Sequence, residues 1–327
     1  MTLPCRPGDW PRLIFRGIQL RLSVTLTGLL VSVSLQIPFP SHAADGDKRQ
    51  FGPWVWGVEA AALRQSDTDL SGTSGSFSVD RYFIEPSIAY MWDRRNMVSL
   101  AIGFGDSDYE FAPGATIDGQ QPWGRIHDYR ISVPIRFSPT ERTDAIIIPS
   151  VRTNAESGAS LSDGRTEGVL AGIGWRVSDT FLIGPGFGWF SELGGGSDAF
   201  PIIVINWAIT DRLSLGTGGG LAASQGPGLT LEYNPNRKWK LGLTGRYEKI
   251  RFALDNGATS PARIGEDRSL PLVLSVQYTL WPMTTIGAFA GGEFDGKLSI
   301  EDVNARTIAS SEYDTAVFTG LVFRSRF

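Results

Sequence analysis

The sequence predicts an all-β fold: a closed, antiparallel, up-and-down transmembrane β-barrel of about 14 strands. Three observations support this fold class. Apolar and polar residues alternate with period two from residue 54 to the end of the chain, as side chains on the two faces of a strand do. The connections between these segments are alternately long and short. Most tryptophans stand at the ends of the segments and not in their middles.

The composition agrees with a barrel and excludes a bundle of membrane helices. The chain has 327 residues, of which 42% are hydrophobic, and it contains 39 glycines. A helical membrane protein would be more apolar. A barrel is expected to be this polar, because half of each strand faces a polar lumen.

The N-terminus has the pattern of a secretory signal peptide. Positive residues precede an uncharged, largely apolar stretch at 22–35, two prolines end it, and Ser41-His42-Ala43 offers small residues at both key positions of a cleavage site. We place cleavage after Ala43, so that residues 1–43 are the signal peptide and residues 44–327 the barrel. A retained helical anchor is the alternative, because no charge occurs between residues 22 and 44.

The single cysteine, Cys5, falls inside this segment. The mature chain therefore has no disulfide, no cysteine-ligated metal and no catalytic cysteine. It keeps 26 basic and 33 acidic residues, a net charge of about −7 that does not suit nucleic acid as a partner. We expect neither a metal nor a cofactor.

The first seven strands follow from the alternation and from their turns. Asp93 to Asn96, Pro139 and Ser178 to Thr180 supply the chemistry of tight turns, and longer polar segments separate the other strands. The predicted strands cover residues 54–62, 82–92, 98–104, 129–137, 147–153, 169–177 and 181–189.

The second seven strands follow in the same way, with tight turns at Thr210 to Arg212, Asn234 to Lys238 and Trp281 to Met283. The predicted strands cover residues 203–209, 213–221, 229–233, 239–247, 270–280, 284–298 and 313–327. The strand at 229–233 is short. Without it and the preceding strand at 213–221, the barrel would have twelve strands. The facing of 284–298 is ambiguous, and Asp295-Gly296 is predicted to be a turn.

The last fifteen residues form one long two-faced strand. Apolar residues alternate along one face and the charge lies on the other; Tyr313 begins the apolar face and Phe327 ends it. This segment resembles the closing strand of bacterial outer-membrane β-barrel proteins, and the chain looks most like the porin-like, uncharacterised barrels among them. The resemblance implies a Gram-negative outer membrane reached through the periplasm. It also implies pairing with the first strand and recognition of the strand ending at Phe327 by the barrel-assembly machinery.

Aromatic residues mark one membrane interface. Indole is amphipathic and prefers the headgroup region, so barrels carry aromatic girdles there. Eight such residues are predicted at the turn-side ends of strands: Trp54, Trp56, Trp92, Trp175, Trp207, Trp239, Trp281 and Phe327.

Inward charges are the candidates for lining a pore. The alternation places six inside the barrel, Glu59, Glu85, Arg130, Arg152, Arg246 and Glu248, and four at the turn-side mouth, Arg136, Arg176, Arg324 and Arg326. Charged walls would set a field in the lumen and bias which solutes pass. Alternatively, the charges pair with each other as a polar plug.

His127, the only histidine of the mature chain, falls on the lipid-facing set near the loop-side rim, while its neighbour Asp128 points inward. This geometry does not suit general-base catalysis, and no enzyme activity is expected. The glycine runs at 184–188 and 216–220 have strand spacing and are predicted to leave space inside the barrel or to allow the strands to bend.

The expected function is a passive channel for small hydrophilic solutes in the outer membrane. The first alternative is a non-conducting structural barrel, or one that interacts with partners through its surface loops. A lipid-modifying or proteolytic barrel is the second.

Overall fold

The computed structural model describes residues 53–71, 75–218, 228–255 and 263–327. The expected signal peptide lies outside these residues and stays a prediction. The described residues contain no helix with the length and apolarity needed to span a membrane. Seventeen strands form one sheet: β1 Trp54–Asp69, β2 Ser76–Met91, β3 Met97–Phe111, β4 Arg125–Ser132, β5 Ile135–Thr140, β6 Thr143–Glu156, β7 Arg165–Ser178, β8 Phe181–Ser191, β9 Ser197–Ala208, β10 Leu213–Thr217, β11 Gly228–Tyr233, β12 Trp239–Arg246, β13 Glu248–Leu254, β14 Arg263–Trp281, β15 Thr284–Glu301, β16 Thr307–Tyr313 and β17 Ala316–Arg326.

The sheet closes into a barrel. Three wall positions are each shared by two consecutive strands that pair with a common neighbour: β4 with β5, β12 with β13, and β16 with β17. The seventeen strands therefore occupy 14 wall positions, which confirms the predicted number. The short strand β11 is among them.

The seam joins the first and last strands, as the closing-strand pattern predicts. β1 and β17 pair antiparallel from Gly57↔Arg326 to Gln65↔Phe318. Beyond the ladder, Trp56 N–H donates to the carbonyl of Phe327 at 2.8 Å, and Phe327 N–H donates back at 2.9 Å. Lipid offers no hydrogen bonds to a strand edge, so this closure satisfies backbone groups that an open sheet would leave unpaired.

Side chains alternate between two environments along the wall. Outward residues at mid-height are apolar and exposed, among them Ile131, Leu274 and Leu321. Such a band matches the hydrocarbon of a bilayer, where an outward Arg or Lys at the midplane would cost about 2–4 kcal/mol.

A β-bulge resolves the ambiguous facing of the thirteenth wall position. Asp295 has φ of +52°, and the pairing of β14 with β15 shifts register between Arg268 and Leu270. Before the bulge the inward residues are odd-numbered, such as Glu293; after it they are even-numbered, such as Leu298. Asp295-Gly296 is thus a bulge inside a strand, and its prediction as a turn is wrong.

Two further breaks change the facing of aromatic residues. Tyr313, the last residue of β16, is buried inside the barrel, because Asp314 and Thr315 interrupt the strand before β17. Tyr247 separates β12 from β13 and packs against the inward Phe190 and Phe200. The prediction that Tyr313 begins the outward, apolar face of the last strand is therefore wrong. The outward facing that alternation along the predicted strand 239–247 gives Tyr247 is wrong as well.

On the loop side the strands extend beyond the predicted segments. β1 continues to Asp69 and β14 begins at Arg263, although the lipid-facing alternation ends or begins well inside those limits. Alternation of apolar residues marks the part of a strand in contact with lipid, whereas backbone pairing continues past it.

The loop-side half of the interior contains a dry core. Buried residues of β2 to β4, β13 and β15 to β17 meet there: Phe77, Val79, Tyr109, Ile126, Ile250, Phe252, Leu254, Leu298, Ile300, Ala309, Tyr313 and Ala316. Leu70, which follows β1, and Ile117 and Trp123 from the loop between β3 and β4 complete the cluster. β13 reaches β6 through a bridge between Ala253 and Ala155. The strands on this side thereby enclose their own core and separate it from β7 to β12.

Candidate functional site

The candidate site is the lumen, and the predicted inward charges occur there as ion pairs. Glu59 and Arg324 lie opposite each other at the seam, with Arg324 Nε 2.8 Å and Nη2 2.9 Å from the two carboxylate oxygens. Arg130 Nη2 donates to Glu85 at 2.8 Å. Paired charges of this kind hold strands of the wall together, as a polar plug does.

Arg152, Arg246 and Glu248 are also paired. Arg152 donates to Asp128, and Arg246 Nε lies 3.6 Å from Glu248. These three side chains are buried, as is Arg130, so they face other side chains and not open space. A pore-lining role for the ten predicted charges stays a prediction.

A buried network of charged residues and tyrosines lies on the loop side of these pairs. The sequence did not reveal it. Arg81 Nη2 is 3.0 Å from Asp267 and Nη1 is 3.3 Å from Glu293, and Glu248 lies 3.8 Å away. Tyr109 donates to Asp267 at 2.8 Å. The cation is only 4% exposed, so its acidic partners replace the water that it has lost.

Tyr313 completes this network. Its hydroxyl lies 3.0 Å from Asp267 and 3.2 Å from Glu293. The sequence missed this network for two reasons. Asp267 lies outside the predicted strand 270–280, and the facings of Glu293 and Tyr313 depend on the bulge and the strand break. The Asp-Gly pair at Asp295 was the available signal, because that dipeptide favours positive φ and therefore bulges as well as turns.

Inward aromatic rings cover several inward glycines. A Cβ built on Gly188 would lie 2.3 Å from the ring of its cross-strand partner Phe200, and Gly265 and Gly320 are covered in the same way by Phe252 and Phe289. These glycines make room for rings and not for water. Gly216 differs, since a Cβ there would meet only a carbonyl oxygen at 3.6 Å.

The inward residues of the two sides of the lumen differ in their exposure. Inward residues of β1 to β6 and β14 to β17 are mostly buried, whereas those around the lower part of β7 to β12 keep partial exposure. The partly exposed set is small or polar: Gly172, Gly186, Val204, Asn206, Ser214, Gly216, Glu232 and Lys240. Partial exposure is therefore confined to the turn-side part of this wall, since the inward Phe190, Phe200 and Arg246 nearer the loop side are buried.

The turn-side mouth is rich in arginine. Arg136 donates to the carbonyl of Arg94 at 3.0 Å, and Arg176 donates to Asp144 at 2.9 Å. Asp93 organises the adjoining turn: hydrogen bonds from the Asn96 side chain and from the Arg95 backbone lower the pKa of its carboxyl. That carboxylate therefore stays ionised at neutral pH.

The aromatic residues predicted for the interface lie outward beside the turns. The seven tryptophans of this predicted set are all exposed, and Phe327 is 71% exposed. Trp54 and Trp239 make edge or tilted contacts with Tyr90 and Tyr278, which widens the aromatic band. Their contact with lipid headgroups stays a prediction.

His127 lies where the alternation places it, on the outer face near the loop side. Its Nδ1 is 2.5 Å from Asp106, directly opposite on β3, whereas Asp128 points inward and receives the Arg152 bond. No group of three or more metal-ligating side chains occurs within the ranges that the structure covers.

Four features define a transmembrane β-barrel of the bacterial outer-membrane class. The sheet closes without a free edge at the seam, its outer band is apolar, aromatic residues lie at the strand ends, and tight turns lie on the side opposite the loops. The protein is therefore placed in the outer membrane, in contact with its lipid.

No family model and no curated protein matches the sequence. Among solved structures, an outer membrane channel from Pseudomonas putida F1 is 8% identical, with a TM-score of 0.45 over 87% of this chain and 100% of that one. The TodX monoaromatic hydrocarbon channel is also 8% identical, with a TM-score of 0.43 over 88% and 92%. A FadL homologue from Pseudomonas aeruginosa is 11% identical, with a TM-score of 0.41 over 84% and 89%. These low values assign neither a family nor a solute.

Proposed function

We propose that the protein is a passive outer-membrane channel for small hydrophilic solutes, and that its path follows the β7–β12 wall. The partial exposure of inward residues along that wall supports the proposal most directly. Asn206, Ser214 and the Glu232–Lys240 pair, whose charged atoms are 3.2 Å apart, give this space a polar lining. Polar groups of this kind replace part of a solute's hydration at low cost.

The opposite side of the lumen would act as a fixed wall. Its ion pairs and its dry core bind the strands from β13 to β6 into one packed unit, which leaves the β7–β12 side as the place where solute can move. A narrow path predicts a small conductance compared with a water-filled barrel of the same strand number.

Conductance in planar bilayers tests the proposal. Gly216→Trp places an indole in the proposed path, and Leu215→Trp places the same group on the outer face of the same strand. We expect Gly216→Trp to lower single-channel conductance by more than half and Leu215→Trp to leave it unchanged. A folded wild-type barrel that never conducts would contradict the proposal, as would equal conductance in the two variants.

A non-conducting structural barrel is the second candidate, and the dry loop-side core favours it. In that case the interior serves stability, and function belongs to the loops. The same recordings decide between the two, because a structural barrel shows no current before or after substitution.

We further propose that the protein is not an enzyme. The His127–Asp106 pair lies on the outer face of the barrel, and Tyr129 stacks on the imidazole. His127→Ala should leave the stability of the barrel and its conductance unchanged, and loss of a measured lipid or peptide hydrolysis would contradict this expectation.

Assembly through the last strand is also proposed. β17 forms the seam with β1, and the exposed Phe327 ends it beside Trp56. Recognition of this strand by the barrel-assembly machinery predicts that Phe327→Ala slows membrane insertion in cells, while the purified variant refolds in detergent as the wild type does.

A further inference from the structure

A cavity of about 440 Å³ opens at the inner edge of the turn-side mouth. Three hairpins surround it: the turn between β2 and β3, the turn between β5 and β6, and the turn between β7 and β8. Its charged lining consists of Arg94, Arg95, Arg136, Arg142 and Arg176 with Glu141, Asp144 and Asp179. Five guanidinium groups against three carboxylates leave a net charge of +2.

Asp144 fixes the arrangement of this cavity. Its Oδ1 accepts hydrogen bonds from Arg95 at 2.8 Å and from Ser138 at 2.5 Å, and its Oδ2 accepts from Arg176 at 2.9 Å. Arg136 is held separately by the carbonyl of Arg94 at 3.0 Å. The cavity walls are thus tied to one another through side chains from three hairpins.

The side chains of Arg94 and Arg142 take no part in these hydrogen bonds. Among the described residues, no carboxylate forms an ion pair with the side chain of Arg94 or of Arg142, and both side chains are exposed. They stand on adjacent hairpins, on either side of the opening. A planar guanidinium binds phosphate or carboxylate oxygens in pairs, so two such groups facing one cavity suit a doubly charged oxyanion.

We propose that this cavity is a binding site for a small multivalent oxyanion, such as phosphate or a phosphomonoester, on the turn side of the membrane. Its volume is within the range of small-molecule sites, and Arg94 and Arg142 supply the charge that the ligand neutralises. Asp144 acts as a positioning residue, because it holds Arg95 and Arg176 at the cavity wall and keeps them from closing over it. The site does not depend on conduction, so it holds for a closed barrel as well.

Isothermal titration of the folded barrel in detergent tests the site, with inorganic phosphate and succinate as probes at constant ionic strength. The double variant R94Q/R142Q should bind phosphate at least about tenfold more weakly than the wild type, a change of about 1.4 kcal/mol. The control is R212Q/R237Q, which removes two arginines from other turns on the same side of the membrane.

The possible outcomes distinguish a specific anion-binding site from nonspecific attraction of anions by positive charge. Saturable phosphate binding that is lost in R94Q/R142Q and kept in R212Q/R237Q supports the proposal, and weaker binding in R94K/R142K shows that guanidinium geometry contributes. Tighter binding of succinate than of phosphate would replace the phosphate ligand with a dicarboxylate. Absence of saturable binding in the wild type, or equal losses in the two double variants, would overturn the proposal.

Discussion

At the scale of single residues, the interior depends on charges that have lost their water. Arg81 is bound by Asp267 and Glu293 within 3.3 Å, and the tyrosines Tyr109 and Tyr313 hydrogen-bond the same carboxylates. Removing one member of a buried ion pair leaves the other desolvated, which costs far more than losing a pair at the surface.

Arg81→Met should therefore lower the free energy of unfolding by about 3 kcal/mol, because Asp267 and Glu293 lose their cation. Urea unfolding of the refolded barrel in lipid vesicles measures this change. Arg64→Met is the matched control: Arg64 belongs to an adjacent strand and pairs with Asp80 at 3.2 Å, but its side chain is 69% exposed. We expect the control to change stability by less than about 1 kcal/mol, and a similar effect of both substitutions would contradict the account.

At the scale of strands, the interior is built from rings that lie on cross-strand glycines. Gly188 and Phe200 face each other on β8 and β9, and the three atoms nearest to a Cβ on Gly188 all belong to that ring. A strand that lacks a side chain at such a position can accept a large neighbour without widening the barrel.

Gly188→Ala should destabilise the barrel by about 1–3 kcal/mol, because the new methyl group overlaps the Phe200 ring. The same substitution should cost much less in the background of Phe200→Leu, and Gly216→Ala should be nearly neutral because space is open there. Unfolding measurements on the wild type, Gly188→Ala, Phe200→Leu and the variant with both substitutions form a double-mutant cycle. Equal costs of Gly188→Ala in both backgrounds would show that the ring does not cause the effect.

The strand scale also shows how far the sequence could predict the molecule. The number of wall positions and most of the outward residues followed from alternation, because lipid tolerates few polar side chains and so enforces a regular pattern. The tight turns followed from their turn-forming residues. The inward network did not follow, because one extra residue at Asp295 and one strand break at Asp314 each reverse the facing of what comes next. Contacts such as Arg81 with Glu293 join strands far apart in the chain, and no local pattern records them.

At the scale of the whole molecule, the barrel has one packed side and one side with space. The packed side extends from β13 through the seam to β6, and its loop-side end is a dry aromatic core. The other side differs along its length: the turn-side part of β7 to β12 carries small and polar inward residues that keep partial exposure, whereas the loop-side part contains the buried Phe190 and Phe200. This asymmetry, and not the strand number, determines where a solute could pass.

Thiol accessibility tests this asymmetry most directly, because residues 44–327 contain no cysteine. Single substitutions Ser214→Cys and Val204→Cys place a thiol on the open side, whereas Ser99→Cys and Ser132→Cys place one at buried positions of the packed side. A charged, membrane-impermeant thiol reagent is added to the folded barrel in vesicles. The account predicts rapid modification at Ser214→Cys and Val204→Cys and protection at Ser99→Cys and Ser132→Cys until the barrel is unfolded. Equal reaction rates on both sides would contradict it.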